Sequence, residues 1–195
     1  MKILLINACI RDVQMSRTYR LYDAFVKTYQ QQHPEDVLEE IVLRNKALYP
    51  LLAENIEKRN QLLAQKNLQD PIFHYAHTFA QADKIIISAP YWDLSFPALL
   101  KTYFEHICVT GITFKYTEKG VQGLCKASKL LYISTLGGFI ETLDLGKEYI
   151  KSLGQMFGIP QFDSIQAEGL DIEGAPIETI MAQGIEKAKT LAIAW

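Results

Sequence analysis

The sequence predicts an α/β domain in which helices cover both faces of a doubly wound, mostly parallel five-stranded sheet. Three observations lead there. Five strand-like segments recur along the 195 residues, the first of them a short apolar run rich in β-branched and aliphatic residues, the pattern of a strand buried on both faces. Segments with helical apolar spacing separate them, and parallel neighbours need such crossovers, which are right-handed and place helices on both sides. No repeat, low-complexity tract or linker rich in Gly, Pro or Ser interrupts the pattern, so residues 1–195 are expected to form a single domain.

The first run, Lys2-Ile-Leu-Leu-Ile6, reads as a central strand. Residues 18–31 place Leu21, Tyr22, Phe25, Val26 and Tyr29 three and four apart, an amphipathic helix. A second strand is expected at 38–43 and a third at 84–89, where Ile85, Ile86 and Ile87 match the first in apolarity. The long crossover between them holds helices at 54–67 and 71–82, the latter opened by Asp70 as cap and Pro71 in the first turn. Beyond the third strand come a helix at 97–109, a strand at 129–134, a helix at 145–157, a strand at 162–167 and a last helix at 177–194.

Charge and composition narrow the function classes. With 20 Lys and Arg against 22 Asp and Glu, scattered along the chain, no basic face is present and nucleic acid is not an expected partner. The cysteines, Cys9, Cys108 and Cys125, form neither a CxxC pair nor an even disulfide set; this points to a reducing, cytoplasmic setting and against a metal site. The apolar stretch at 3–6 is too short for a signal peptide, and no run approaches the roughly 18 apolar residues that a membrane span requires. No membrane association is expected.

In open doubly wound sheets, ligands bind beyond the carboxyl ends of the strands, where strand order reverses. The loops that matter are therefore 7–16, 90–96 and 135–139. The first lacks both GxGxxG and GxxxxGK[ST], which argues against a tightly bound dinucleotide and against ATP. It ends in Gln14-Met15-Ser16. Ser16 can cap the following helix, whose free N–H groups and partial positive charge suit a dianionic phosphate; it can equally be a cap and nothing more. Arg11 and Arg17 stand near enough in sequence to add charge.

Cys9 raises a phosphatase alternative, since a cysteine after the first strand of a small α/β domain can attack a phosphoryl group. That chemistry needs an Arg six residues on, and the residue there is Met15. In the second loop, Tyr91 and Trp92 offer edges or faces to a planar ring. After the fourth strand, Gly137 and Gly138 allow close backbone approach to a ligand, or simply a turn. His33, His74, His77 and His106 fall on predicted helices or their edges and are assigned no catalytic role.

Several motifs in order resemble a known family. Pro90-Tyr-Trp-Asp-Leu-Ser-Phe-Pro-Ala-Leu-Leu-Lys101 resembles the P-M-[YW]-N-F-x-x-P-x-x-L-K segment of FMN-dependent NADH azoreductases and related NAD(P)H quinone reductases. Gly111-Ile-Thr-Phe-Lys-Tyr-Thr-Glu-Lys-Gly120, with Gly123-Leu124, is similar to their G-x-T-F-x-Y-T-x-x-G-x-x-G-L hairpin, and Ser134-Thr-Leu-Gly-Gly138 to their T-S-R-G-G loop. Phe157-Gly-Ile159 and Ala167-Glu-Gly169 extend the likeness over nearly the whole chain.

The resemblance implies a flavodoxin-like sheet of order 2-1-3-4-5 and a homodimer with FMN at its interface. It implies hydride transfer from NADH or NADPH through FMN to a quinone or azo acceptor, in a ping-pong cycle with the flavin carrying the chemistry. By the same resemblance Cys9, Gln14, Met15 and Ser16 lie at the phosphate. Pro90, Tyr91, Trp92, Asp93 and Leu94 border the isoalloxazine, and Thr135, Leu136, Gly137 and Gly138 reach its pyrimidine side. Phe114 and Tyr116 wall the substrate space, the backbone N–H near Asp93 approaches the reactive ring nitrogen, and no side chain acts as a general base.

Three departures stand out. Asp93 replaces a usual Asn, Leu136 a usual Arg, and Phe139-Ile-Glu141 lacks the histidine often found there; the first two bear on potential and substrate choice. An electron carrier or flavin-binding sensor without small-molecule turnover is the competing reading. The long crossover over 44–83 and the 111–124 hairpin favour the enzyme, because they supply pocket walls a minimal carrier lacks.

Overall fold

The apolar run at the start of the chain forms β1 (Lys2–Asn7), with Ile3, Leu4, Leu5 and Ile6 at most 3% exposed, so it is enclosed on both faces. The structure is a computed structural model and describes all 195 residues, Met1–Trp195. After β1 come α1 (Arg17–Gln32), β2 (Val37–Val42), α2 (Ala53–Ala64), α3 (His74–Gln81), β3 (Lys84–Ser88) and α4 (Ala98–Ile107). Then follow β4 (Phe114–Thr117), β5 (Gly120–Gly123), β6 (Lys129–Thr135), α5 (Leu145–Met156), β7 (Gln161–Ala167) and α6 (Ile177–Ala194).

Five strands form one sheet in the order β2-β1-β3-β6-β7, every neighbouring pair parallel. Counted among themselves these are strands 2-1-3-4-5, as expected. From β1 the chain steps outward to β2, returns to β3 on the other side of β1, and continues to β6 and β7. Strand order therefore reverses between β1 and β3, whose last residues, Asn7 and Ser88, pair directly.

Period-two alternation divides the core. Leu4, Ile6, Ile85, Ile87, Leu130 and Tyr132 pack against Phe79 of α3, Leu100 and Phe104 of α4, and Ile150 of α5. The intervening residues Ile3, Leu5, Ile86, Leu131 and Ile133 face Leu21 and Phe25 of α1 and Met181 and Ala188 of α6. No helix is long and apolar enough to cross a membrane. All three cysteines are free.

Element ends differ from expectation where side chains redirect the backbone. The helix expected over 71–82 begins as a 3-10 turn at Pro71–Phe73, because the Asp70 carboxylate accepts from Ile72 N–H at 3.0 Å and tightens the entry; α3 proper starts at His74. The helix expected over 54–67 stops at Ala64, and Lys66 adopts a φ of 56°, which no α-helix accommodates. α4 stops at Ile107, whose carbonyl accepts from the Thr113 hydroxyl at 2.7 Å. The 111–124 segment is a hairpin, β4 antiparallel to β5, forming a two-stranded sheet of its own.

Candidate functional site

At the end of β1 the buried Asn7 redirects the chain. Its side-chain oxygen accepts from Cys9 N–H at 3.0 Å, and its amide donates to Glu40 Oε1 at 3.1 Å, which also accepts from the Tyr22 hydroxyl at 2.8 Å. Asp12 then closes a tight turn: its carboxylate accepts from Gln14 N–H and its carbonyl from Met15 N–H, both at 3.0 Å. Ser16 caps α1, its Oγ accepting from Tyr19 N–H at 3.1 Å. The N–H groups of Arg17 and Thr18 have no acceptor within the chain. They leave the positive end of the α1 dipole open to an anion.

The second loop leaves β3 over the neighbouring strand, with Tyr91 N–H donating to Thr135 carbonyl at 3.0 Å. Trp92 and Ser95 then exchange backbone hydrogen bonds of 3.1 and 2.8 Å across a two-residue turn. Both central residues are left-handed, Asp93 at φ 50° and Leu94 at φ 66°, the signature of a type I′ turn. Aspartate tolerates this region; leucine there costs roughly 1–2 kcal/mol. The Asp93 and Leu94 N–H groups have no partner in the chain.

The third loop is laced to the end of β7. Leu136 N–H donates to Ala167 carbonyl at 2.9 Å, Leu170 N–H to Leu136 carbonyl at 3.1 Å, and Asp171 N–H to Gly137 carbonyl at 2.9 Å. The exposed Asp171 side chain lies directly over Gly137, where a Cβ would come 2.5 Å from Asp171 Oδ2 and push that side chain aside. Arg17 joins this lacing to α1, donating to Leu170 carbonyl at 2.9 Å and Asp171 Oδ1 at 2.6 Å. Beneath, the hydroxyls of Thr18 and Thr135 meet at 2.5 Å.

These loops line an open cleft at the reversal point of the sheet. Of the residues expected there, Met15, Ser16, Pro90, Tyr91, Trp92, Thr135, Leu136 and Gly137 line it. Gln14 is exposed on the preceding turn, Asp93 and Leu94 form the tip of the second loop, and Gly138 follows the third. Cys9 lies under the loop, 3% exposed, with Sγ 3.9 Å from Ser88 Oγ. Burial pushes its thiol above the ordinary value, the opposite of what an attacking thiolate needs.

Phe114 and Tyr116 do not line the cleft. Phe114 is 7% exposed in the core and meets Tyr116 edge-to-face at 5.5 Å, while Tyr116 stands 71% exposed on the hairpin. The cleft also takes in Ile10, Thr18, Leu170 and Asp171, and both Arg11 and Arg17. The arginines were visible in the sequence as nearby charges. Leu170 and Asp171 follow the fifth sheet strand, whose carboxyl end opens on the same edge; that position was the available signal.

An open parallel sheet with converging, donor-rich loops at its reversal point defines a doubly wound α/β protein with its ligand cleft at the carboxyl edge of the sheet. Comparison with known proteins agrees. A family defined by a flavodoxin-like fold matches residues 1–192. FMN-dependent NADH:quinone oxidoreductase 2 of Clostridium acetobutylicum is 39% identical over 196 residues, covering 98% of each chain. The FMN-dependent NADH:quinone oxidoreductase of Clostridium perfringens is 37% identical over 193 residues, again 98% of both. The crystal structure of an azoreductase from Bacillus anthracis superposes with a TM-score of 0.90 at 26% identity, covering 100% of this chain and 99% of that one. The chain belongs to the flavodoxin-like family, in its group of FMN-dependent NADH:quinone oxidoreductases and azoreductases.

Proposed function

We propose that this chain is an FMN-dependent oxidoreductase that passes a hydride equivalent from NADH or NADPH to quinones, azo compounds or similar acceptors in a ping-pong cycle. The observation that carries the reading is the convergence of three loops at the β1/β3 reversal, each presenting N–H groups without partners in the chain. This donor set fits FMN. The Arg17 and Thr18 N–H groups and the Ser16 hydroxyl suit a dianionic phosphate, with Arg11 adding charge and Cys9, Gln14 and Met15 shaping the loop. The N–H groups of Asp93, Leu94 and Gly137 suit ring nitrogens and oxygens, while Tyr91 and Trp92 flank a planar ring.

Bound FMN supplies the two-electron chemistry. The side chains bind and orient; none acts as general acid or base. Thr135 and Leu136 hold the floor, and Gly137 and Gly138 let the backbone come close. Met15, Trp92, Leu94 and Phe139 leave large apolar surfaces exposed around the cleft, at 71, 39, 65 and 66%, which supports a homodimer that covers them. In that arrangement Tyr116, held outward by buried Phe114, reaches the acceptor space across the interface, since neither lines the cleft of its own chain. The balanced charge and reduced cysteines support a cytoplasmic location.

The test is a visible-absorption titration of purified protein with FMN, followed by NADH and NADPH oxidation with a simple quinone and sedimentation of the holoprotein. Stoichiometric flavin, quinone-dependent turnover and a dimer are expected. Failure to bind flavin would refute the reading; flavin without turnover would favour the electron carrier.

A further inference from the structure

Arg44 stands on a rigid base and reaches for the first loop. It lies in the 3-10 turn Leu43–Asn45 that follows β2, between Leu43 and Leu48, whose side chains are buried in the core on the α4 side. From there its Nη1 donates to the Arg11 carbonyl at 2.5 Å. The tie falls between the two bends that shape the loop, after Asn7 has turned the chain at Cys9 and before Asp12 closes the turn at Met15. Arg11 lines the cleft together with Ser16, the cap of α1; Arg44 does not.

The other arginines are matched within the chain: Arg17 by Asp171, Arg20 by Glu178, and Arg59 by the carbonyls of Glu105 and Cys108. Arg11 and Arg44 take part in no ion pair. Burial pushes the Cys9 thiol up, and the Ser16 and Ser88 hydroxyls and the Arg44 charge oppose it, so Ser16 and this cation converge on one point of the loop floor. A long exposed side chain such as Arg11 loses rotamer freedom when an anion takes it. Here the backbone that carries it is fixed in advance, which lowers the ordering cost of that capture.

We propose that Arg44 is a positioning residue for flavin selection: by holding the Arg11 carbonyl it presents the Arg11 guanidinium to the phosphate of FMN, and so sets the preference for FMN over riboflavin, which lacks that phosphate. The proposal rests on the flavin reading and adds to it a residue outside the cleft that acts through one inside.

Arg44→Met removes the donor and the charge while keeping an unbranched stem; Arg11→Gln removes the group it acts through; the double variant joins them. Lys189→Gln is the control, an exposed cation near the end of α6, where the Trp195 carbonyl meets Lys84 and Lys129 at the starts of β3 and β6, the edge of the sheet opposite the cleft. Dissociation constants of FMN and of riboflavin are measured by flavin-fluorescence titration of the apoproteins in about 0.01 M and about 1 M salt, where the Debye length falls from roughly 30 to 3 Å. Apoprotein melting temperatures are recorded alongside.

In low salt Arg11→Gln is expected to weaken FMN binding about tenfold, the scale of one charge-assisted hydrogen bond, and Arg44→Met about fivefold, the scale of ordering one long side chain. The double variant falls no more than about twofold below Arg11→Gln, because Arg44 then has nothing left to act through. These losses shrink in about 1 M salt. Riboflavin affinity stays within about twofold of the wild type, melting temperatures within about 2 °C, and the control changes nothing. Unchanged FMN affinity in Arg44→Met overturns the proposal, as does a loss that high salt leaves intact. Equal losses for FMN and riboflavin overturn it by assigning Arg44 to the fold of the loop, and losses that multiply in the double variant overturn it by making Arg44 act independently of Arg11. If the wild type binds neither flavin, the reading of the cleft itself falls, a result distinct from any difference among the variants.

Discussion

The hydroxyl pair between Thr18 and Thr135 joins the start of α1 to the end of β6 and permits a quantitative test of how the cleft floor is held. The oxygens lie 2.5 Å apart, and each hydroxyl has only the other as partner. Replacing one threonine by valine keeps the shape and orphans the remaining hydroxyl, at a cost of about 1–3 kcal/mol. The two single variants are not equivalent. In Thr18→Val the orphan is Thr135, 9% exposed and partly within reach of water; in Thr135→Val it is Thr18, 1% exposed and less accessible. Thr18→Val is therefore expected to cost about 1 kcal/mol and Thr135→Val about 2–3 kcal/mol. The double variant leaves no orphan, so its cost falls below the sum of the singles by at least about 1 kcal/mol. Urea unfolding of the apoproteins at constant m-value measures all three, and each kcal/mol corresponds to roughly 2–4 °C in melting temperature. Additivity to within about 0.5 kcal/mol, or a larger loss in Thr18→Val than in Thr135→Val, would refute the reasoning.

Ser16→Ala removes the cap of α1 and a hydroxyl at the proposed phosphate site; the apoprotein is expected to lose about 1 kcal/mol and FMN affinity to fall about tenfold, read by melting and by fluorescence titration. Gly123→Ala drives a Cβ to 2.0 Å from the Phe157 carbonyl carbon and 2.1 Å from Gly158 N, backbone that cannot swing aside; the expected loss is about 3 kcal/mol by denaturant unfolding. Asp83 gathers the starts of three sheet strands, accepting from Lys126 Nζ at 2.5 Å and Lys2 N–H at 2.7 Å and offering its carbonyl to Ser128 N–H at 2.9 Å. The Lys126 ammonium, then the Lys2 N–H, hold its carboxyl below the usual value, so its contribution is complete above the unfolded-state value near 4 and is lost as pH falls through the folded one. Asp83→Asn is expected to flatten the acid limb of a stability–pH profile below about pH 4 while lowering stability at neutral pH; an unchanged acid limb would contradict the assignment.

The sheet was legible because burial leaves a local mark. A strand covered on both faces must be apolar at successive positions, and Ile3 to Ile6 and Ile85 to Ile87 say so without reference to anything distant. The same holds for Ser16, whose capping role depends on the three residues that follow it, and for the glycine pair, whose composition already marks a turn. Strand order came from motifs matched to a family, not from the alternation itself, which is compatible with several orders. Helix ends were less legible, because Asp70, Thr113 and Lys66 redirect the backbone through individual hydrogen bonds or conformations that propensity does not encode.

Which residues share the cleft was a tertiary decision. Arg17 and Asp171 are 154 positions apart and meet at 2.6 Å only because α1 and the end of β7 are brought to the same edge of the sheet. Cys9 and Phe114 stand in motifs that suggested ligand contact, yet the fold turns both inward, a choice set by packing against Ser88 and against Phe157. Apolar periodicity fixes which face of an element is buried, and so the sequence alone determined the layers and the edge where a ligand sits. The rotation and spacing of elements far apart in the chain depend on side-chain packing across the whole core, and that is why only the tertiary structure decided which groups meet there.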